Sequence, residues 1–440
     1  MAGGEGVSQL WQKEDWWAVW IGFFILLISA AGILTSAPKM GKWESNPATF
    51  FGFEEGVGFM GSVIPGLIAL ALGLAILFAI GSVCMNLKWR GFFFAFFVVF
   101  LLAILSYFFD HQKTLHAWGL GYAFWALLFG LLISNTIGTP EWLKPGIRTE
   151  FYIKTGLVLL GAEVLFNKIL QLGPPGLFVA WLVTPIVVIF MFWFGTNVMK
   201  MSNKALVIVI ATATSVCGVS AAIAAAAASK AKKDDLTLAV GMTLIFTVLM
   251  MIGMPALVKA SGMDLRVGAA WMGGTIDATG AVVAAGEFLG EEAGKIAAVV
   301  KMIQNVLIGV IAFCIAVYWA VRVEGVGGTG HASLSEIWVR FPKFILGFIG
   351  ASIFFSFVLV PTLGADAVDN DIIKATTKNI RGWLFCLAFV SIGLESNFRD
   401  LSTQLAGGKP MILYIVGQSF NLALTLLAAY LAFGGILFGP

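Results

Sequence analysis

Charged side chains are scarce in this chain. Only 12% of its 440 residues are Asp, Glu, Lys or Arg, whereas 59% are hydrophobic. Soluble domains carry roughly a quarter of charged residues, so the composition excludes a soluble globular protein and favours one that crosses a membrane many times. No polar stretch reaches about 50 residues, the lower limit for a domain, so we expect no separate soluble domain.

The chain also lacks a dominant charge, a cysteine framework and a catalytic motif. A net charge of +3, spread over short loops, excludes a nucleic-acid-binding surface. The four cysteines lie in or at the end of apolar segments, so we expect no disulfide framework. We find no metal-ligand spacing, Walker motif or nucleophile with a histidine partner. We therefore expect neither an enzyme nor a cofactor.

Long apolar runs are abundant, and many reach the roughly 20 residues that a spanning helix needs. They predict an all-α polytopic membrane protein of about 11–13 transmembrane helices. Residues 204–228 and 266–288 are two of these runs. Alternate loops carry similar numbers of Lys and Arg, so the positive-inside rule gives no clear orientation.

One apolar run is built from unusually small side chains. From Ala211 to Lys230 it reads ATATSVCGVSAAIAAAAASK, which is too small and hydroxyl-rich for a lipid-facing helix. One interpretation is a helix that breaks and offers its N–H groups to an anion; the other is a continuous helix packed closely on its neighbours. On the first interpretation the substrate-binding residues are Thr214, Ser215, Cys217, Gly218 and Ser220.

Asp277 and Lys301 are charges placed deep within apolar runs, where a carboxylate costs about 2.5–3.5 kcal/mol on insertion scales. Both are about equally far from a short turn near Gly290, so an antiparallel hairpin predicts an ion pair between them. Thr275 and Thr279 surround the acid, and Asn305 lies on the face of Lys301. The pair either forms part of an ion- or substrate-coupling site or only fixes helix packing.

Two internal similarities indicate a repeat. The segment from Gly156 resembles the one from Ala388, with Gly161 and Glu163 opposite Gly393 and Glu395, and the two lie an odd number of spans apart. That parity is typical of an inverted-topology repeat, although chance likeness between apolar segments would also explain it. TSVCGVSAAIAAA resembles GTIDATGAVVAAG more weakly. Glu163 and Glu395 are either solvated at the interface or involved in gating.

Several segments resemble the YeiH-like family of proposed sulfate exporters of bacterial inner membranes, among them TSVCGVSAAIAA, LTLAVGMTLIFT and GEEAGKIAAVVKMIQNVL. The resemblance extends from about Pro65 to the C-terminus. It implies a multi-pass inner-membrane transporter related to the bile-acid-symporter and cation–proton-antiporter group, with inverted repeats and broken crossing helices. It also implies a homodimer and a division into N-terminal spans, 1–115, and a transporter core, 116–440. The N-terminal spans are partly additional to the family core, since the first span and the aromatic-rich third span resemble nothing in it.

The chain departs from the family pattern near the expected site. Asp277 stands where family members usually have His, and Gln304 and Asn305 stand where they usually have Arg. The Lys301 position and the motif at Cys217 match. The resemblance therefore implies the fold more strongly than the substrate.

We therefore expect a secondary active transporter of a small anion, sulfate- or sulfonate-like, coupled to H⁺ or Na⁺, with the lipid bilayer as its other partner. The alternatives are a cation/proton antiporter or a cation-coupled transporter of an organic solute, with Asp277 as the cation ligand. A channel is a further alternative.

Overall fold

The structure is a computed structural model that describes residues 10–53, 59–87, 91–117, 121–163, 166–323, 342–397 and 408–438. Within these ranges the chain is helical, apart from turns and one isolated β-bridge between Trp43 and Gln112. The all-α class predicted from the apolar runs is confirmed.

The main helices follow one another with short connections. In chain order they are α1 Glu14–Ala30, α2 Ile64–Cys84, α3 Phe92–Asp110, α4 Tyr122–Thr136, α5 Thr149–Glu163, α6 Phe166–Leu177, α7 Val183–Trp193, α8 Lys204–Ser215, α9 Gly218–Ser229, α10 Lys233–Ser261, α11 Leu265–Thr275, α12 Thr279–Leu289, α13 Glu291–Tyr318, α14 Phe344–Phe354, α15 Lys378–Glu395 and α16 Lys409–Phe433. Wider π-helical turns continue some of them, at Phe178–Leu182, Phe194–Val198, Trp319–Val323, Phe355–Leu359 and Val368–Thr377.

Seven helical segments of the described chain are long and apolar enough to cross a membrane. They are Ile64–Cys84, Phe92–Asp110, Leu172–Val198, Asp234–Ser261, Glu291–Val323, Phe344–Leu363 and Lys409–Phe433. Shorter apolar helices, α4, α8, α9 and α12, accompany them. The chain is therefore a polytopic membrane protein, and α8, α9 and α12 are short because each adjoins a break.

The chain forms two compact units. The first comprises Met1–Lys168 and Lys343–Asn397, and the second comprises Ile169–Pro342 and Phe398–Pro440. Each unit is thus built from two separate stretches of sequence. The division into 1–115 and 116–440, which the family resemblance implies, stays a prediction.

In the first unit α5 and α15 run antiparallel. Three contacts show this: Thr149 bonds Glu395, Gly156 lies against the ring of Phe385, and the Glu163 side chain bonds Arg381. Residue numbers increase along α5 while the numbers of their contact partners in α15 decrease. The opposite directions expected for an inverted repeat are therefore observed for these two helices, although residues 164–165 and 398–407 of the repeat segments lie outside the described chain.

A glycine in each of these helices permits a close helix crossing. A Cβ added at Gly161 of α5 would lie 2.9 Å from the carbonyl carbon of Phe348 in α14. One added at Gly393 of α15 would lie 2.7 Å from the Cα of Gly130 in α4. Since real Cβ atoms do not approach backbone so closely, both crossings require glycine. Gly161 and Gly393, which match in the repeat, thus both permit a close helix crossing.

In the second unit two helices are interrupted within apolar sequence. The first ends as α8 and resumes as α9, and the second ends as α11 and resumes as α12. α9 is GVSAAIAAAAAS, with Ile223 as its largest side chain, so neighbouring backbones can approach it.

Candidate functional site

The first break lies at the Cys-Gly motif. α8 ends at Ser215 and α9 begins at Gly218, whose φ of +34° lies in the left-handed region that favours glycine. A Cβ on Gly218 would lie 3.3 Å from both the main-chain oxygen of Asp277 and the side chain of Thr243. The two breaks therefore meet at Gly218.

The second break places three residues in non-helical conformation between Thr275 and Thr279. Ile276 and Ala278 are extended, with ψ of 131° and 137°. The Thr279 hydroxyl lies 3.4 Å from the Cys217 sulfur and accepts a hydrogen bond from Asn305 Nδ2 at 3.0 Å. The structure thus confirms that both small-residue segments break and that they cross.

Side chains satisfy the carbonyl groups that the breaks set free. Gln304 Nε2 lies 3.0 Å from the main-chain oxygens of both Ser215 and Gly274, so one amide bridges the ends of α8 and α11. Lys301 Nζ donates to the main-chain oxygen of Val216, and to Gln304 Oε1 at 2.7 Å. A cation is favoured at this end of a helix, where the dipole is negative. No water within a bilayer could replace these donors.

Helix α16 contributes a polar face that sequence reasoning missed. Tyr414 OH donates to Asp277 Oδ2, Gln418 Nε2 donates to the Thr275 main-chain oxygen at 3.3 Å, and Asn421 Nδ2 donates to that of Thr214 at 3.2 Å. The polar positions 414, 418, 421 and 425 recur at helical spacing within an apolar run. That periodicity is the signal that would have found them.

Asp277 and Lys301 are both buried in the network, and each has its own hydrogen-bond partners. Each side chain is 1% exposed, and no direct ion pair joins them among the described residues. Asp277 Oδ2 instead accepts from Thr243 at 2.7 Å and from Tyr414. The predicted ion pair is therefore wrong. Its derivation assumed a continuous helix, but α12 begins only at Thr279, so Asp277 lies on the extended segment.

Several buried oxygen atoms near the crossing have no hydrogen-bond partner in the described part of the chain. They are Asp277 Oδ1, Thr275 Oγ1, Asn305 Oδ1 and Gln418 Oε1. Buried polar atoms are nearly always paired, so such a set requires an explanation. All four oxygens can accept a hydrogen bond or coordinate a hard cation.

The accessible side of the crossing is formed by the start of α9. Val219 and Ser220 are exposed and Cys217 and Ala278 are partly exposed, whereas Asp277 and Lys301 are not. No side-chain hydrogen bond caps the N-terminus of α9 or of α12 within the described residues. The first turn of α9 therefore leaves backbone N–H groups without a side-chain cap, on an exposed side of the crossing.

The predicted substrate-binding residues all lie in the second unit, around this crossing, but their roles differ. The hydroxyls of Thr214 and Ser215 donate to main-chain oxygens within α8, at 2.8 and 2.6 Å. Ser220 lies on the accessible side, and Thr279 and Asn305 join the second break to α13. Asp277 and Lys301 lie behind them.

Glu163 and Glu395 lie in the first unit. The Glu163 side chain is 2% exposed and forms a bidentate ion pair with Arg381, at 2.6 and 3.2 Å, an arrangement that differs from solvation at an interface. Arg381, which the sequence did not single out, also lies over the Phe385 ring at 5.2 Å. Glu395 is exposed and accepts from the Thr149 hydroxyl at 2.9 Å. Gating by either carboxylate stays a prediction.

Fold and site together define a class: a polytopic all-α membrane protein in which two broken helices cross at a buried polar network. The chain belongs to the family described as Conserved hypothetical protein 698, whose model matches residues 94–414. That match includes most of α3, the aromatic-rich third span that the family resemblance implied to be an addition.

Relatives in several bacteria are named UPF0324 membrane proteins. One from Rhodopirellula baltica is 54% identical over 90% of this chain and 71% of its own length. One from Nitratidesulfovibrio vulgaris is 54% identical over 84% of this chain and 65% of its own length. A relative from Nitrosomonas europaea is 26% identical over 93% of both chains. No solved structure matches the chain. These names describe membrane proteins and carry no substrate.

Proposed function

We propose that this chain is a secondary active transporter of a small anion, sulfate- or sulfonate-like, in the bacterial inner membrane. The observation that carries the proposal is the accessible, uncapped first turn of α9 at the crossing of two broken helices. Helix N-termini attract anions because their N–H groups and dipoles point toward the ligand. Broken helices that meet in this way are a recurrent form of transporter site.

The polar network behind that turn supports the same proposal. Lys301 adds a positive charge beside the end of α8, where it holds the Val216 carbonyl group. A substrate that reaches Cys217 and Ser220 would contact N–H groups and a hydroxyl, with the lysine charge behind them. Such a set selects an anion by charge and hydrogen bonding without requiring an arginine.

The unpartnered oxygens favour coupling to a cation. Asp277 Oδ1, Thr275 Oγ1 and Gln418 Oε1 belong to residues that are joined by hydrogen bonds around the second break. A proton on Asp277, or a Na⁺ ion bound through these oxygens, would supply the missing partner. The second candidate function rests on the same atoms: a cation/proton antiporter or cation-coupled solute transporter in which Asp277 is the cation ligand.

The proposal is tested by flux into proteoliposomes that contain the purified chain. A panel of sulfate, sulfonates, phosphate and chloride is offered under imposed Na⁺ and pH gradients. We expect saturable counterflow of at least one sulfur oxyanion, reduced in S220W because the indole occupies the accessible turn. S229A, at the other end of α9, is the matched control, since Ser229 only bonds the Ala225 main-chain oxygen.

Variants of the buried charges separate the two candidates. D277N should abolish the dependence of anion flux on Na⁺ or H⁺, and K301A should reduce anion flux itself. Cation flux without any anion would favour the second candidate. Conductance without saturable counterflow would indicate a channel, and normal transport by both variants would refute the assigned roles of Asp277 and Lys301.

A further inference from the structure

An apolar cleft opens on the second unit, and no residue of α9 lines it. It has a volume of about 620 Å³ and lies between α7 with its following turn, the start of α8, and α13. Both long segments that form its walls, Leu172–Val198 and Glu291–Val323, are apolar enough to cross a membrane. Its volume falls within the range of roughly 300–1,000 Å³ that is typical of small-molecule sites.

The cleft changes from apolar to polar along its length. Pro185 and Leu307 line one end, and Thr196, Asn197 and Lys204 line the other. Twelve residues of helical rise, from Pro185 to Asn197, span about 18 Å. One leaflet contributes about 15 Å of hydrocarbon, half of a core of about 30 Å. The gradient thus matches the depth of a single leaflet.

Aromatic rings lie near the polar end. Phe192 contacts Tyr318 and Trp319, with ring centroids 5.7 and 6.2 Å apart, and Trp319 lines the cleft. Tyr and Trp rings are enriched where membrane proteins meet lipid headgroups. This end of the cleft is therefore suited to the headgroup level of a bilayer.

Positive charge also gathers at the polar end. Lys204 is the first residue of α8, where the positive end of the helix dipole disfavours a cation. Lys200 precedes it, and Lys409 Nζ bonds the main-chain oxygen of Met199 at 2.7 Å. The neighbouring acid Asp235 is bound by Asn203 and by the N–H of Lys232. An anionic group beside Lys204 would offset this excess.

We propose that the cleft binds an anionic phospholipid, with one acyl chain along the wall from Asn197 to Pro185 and the phosphate at Lys204. The inner end of the acyl chain then lies behind the polar network, because Pro185 follows Thr184, whose hydroxyl accepts from Gln304 at 3.0 Å. The bound lipid supports the packing of α7 against α13 at the level of the site.

The proposal is tested by native mass spectrometry of the delipidated full chain, titrated with phosphatidylglycerol or with phosphatidylcholine of the same acyl chains. Wild type should retain phosphatidylglycerol preferentially. K204Q should lower that preference by about fivefold, the worth of one lysine contact to an anionic lipid surface. K259Q, an exposed lysine near the end of α10, is the matched control and should keep the preference.

Two filling variants test whether the acyl chain occupies the cleft. C314W and I189W place an indole there from α13 and from α7, at positions that are exposed in the cleft. Both should lose retention of either lipid, whereas C84W, at another exposed cysteine in the first unit, should not.

Three results would overturn the proposal. An equal preference of K204Q and K259Q for phosphatidylglycerol would contradict the placement of the phosphate at Lys204. Unchanged retention in the folded filling variants would place the lipid outside the cleft. A change in oligomeric mass in C314W and I189W, without loss of lipid, would show that a second copy covers this surface. The binding measurement does not depend on transport.

Discussion

At the scale of single residues, the protein places two opposite charges deep in apolar sequence and gives each its own neutral partners. Lys301 donates to the Val216 carbonyl and to Gln304, while Asp277 accepts from Thr243 and Tyr414. A direct pair would have drawn Lys301 away from the Val216 carbonyl at the end of α8. The buried charge of Lys301 therefore also supplies the hydrogen bond that the freed Val216 carbonyl needs.

Removal of the lysine should destabilise the protein strongly. K301M leaves the buried Val216 carbonyl and Gln304 Oε1 without their donor. We expect the free energy of unfolding to fall by about 3 kcal/mol, measured by denaturant unfolding in detergent. K295M is the control in the same helix; Lys295 is partly exposed and pairs with Glu291, so about 0.5 kcal/mol or less is expected. Equal losses would contradict the assignment.

Loss of the tyrosine hydroxyl should weaken the hold on Asp277. Y414F leaves Thr243 as the remaining donor to Asp277 Oδ2. A hydrogen bond to a charged group contributes about 1.5–3 kcal/mol, so the thermal unfolding temperature should fall clearly. Y430F, in the same helix but 58% exposed, should leave it unchanged. A similar response of both variants would mean that the Tyr414 bond adds nothing.

At the scale of helices, glycine decides where backbones touch. Gly161 and Gly393 occupy matching positions of antiparallel helices, and each permits contact with the backbone of a neighbouring helix. Gly218 has a different role, because its φ of +34° allows the turn into α9. Both roles depend on the missing Cβ. At a close crossing its absence avoids a clash with the neighbouring backbone, and at a helix break it permits a positive φ.

A single methyl group should test the crossing of α4 and α15. The Cβ of G393A would lie 2.7 Å from the Cα of Gly130, so the helices must separate. Overpacking of this kind costs about 1–3 kcal/mol, measured as a lower thermal stability. G73A is the matched control, because nothing lies within 4 Å of its added Cβ; alanine there should stabilise α2 by about 0.5–1 kcal/mol. Tolerance of both substitutions would refute the close crossing.

At the scale of the whole molecule, buried polar contacts serve different ends in the two units. The Glu163–Arg381 pair joins α5 to α15 in the first unit. The crossing of broken helices lies in the second unit. Because the pair and the crossing lie in different units, we expect stability and the proposed transport to respond differently to loss of the pair.

The ion pair can be examined by a double-mutant cycle. E163Q removes the carboxylate that faces the buried Arg381 and should cost about 3–5 kcal/mol of stability. The double variant E163Q/R381M should recover part of that loss because the buried positive charge is removed as well. Flux per folded protein should match wild type in both. Loss of flux with stability retained would instead reveal the gating role predicted for Glu163.

The sequence allowed much of the fold and part of the site to be predicted. Small side chains around Cys217 and a carboxylate at Asp277 indicated two special helices, because each feature is costly in a lipid-facing helix. The partners of Asp277 were missed. Tyr414 and Gln418 are far away in sequence, and only their helical spacing marks them. Arg381 was missed because a charge within an apolar run does not reveal which acid it faces.

By itself, the sequence determined that the chain crosses a membrane many times as helices, since its apolar runs and scarce charges permit no other arrangement. It also determined where two helices can break, since glycine and hydroxyl residues lower the free-energy cost of interrupting a helix there. Only the tertiary structure decided which groups satisfy the broken backbone. The freed carbonyls accept hydrogen bonds from side chains of distant helices, namely Lys301, Gln304, Gln418 and Asn421. Asp277 instead accepts from Thr243 and Tyr414. Hydrogen bonding in an interior without water enforces that distribution.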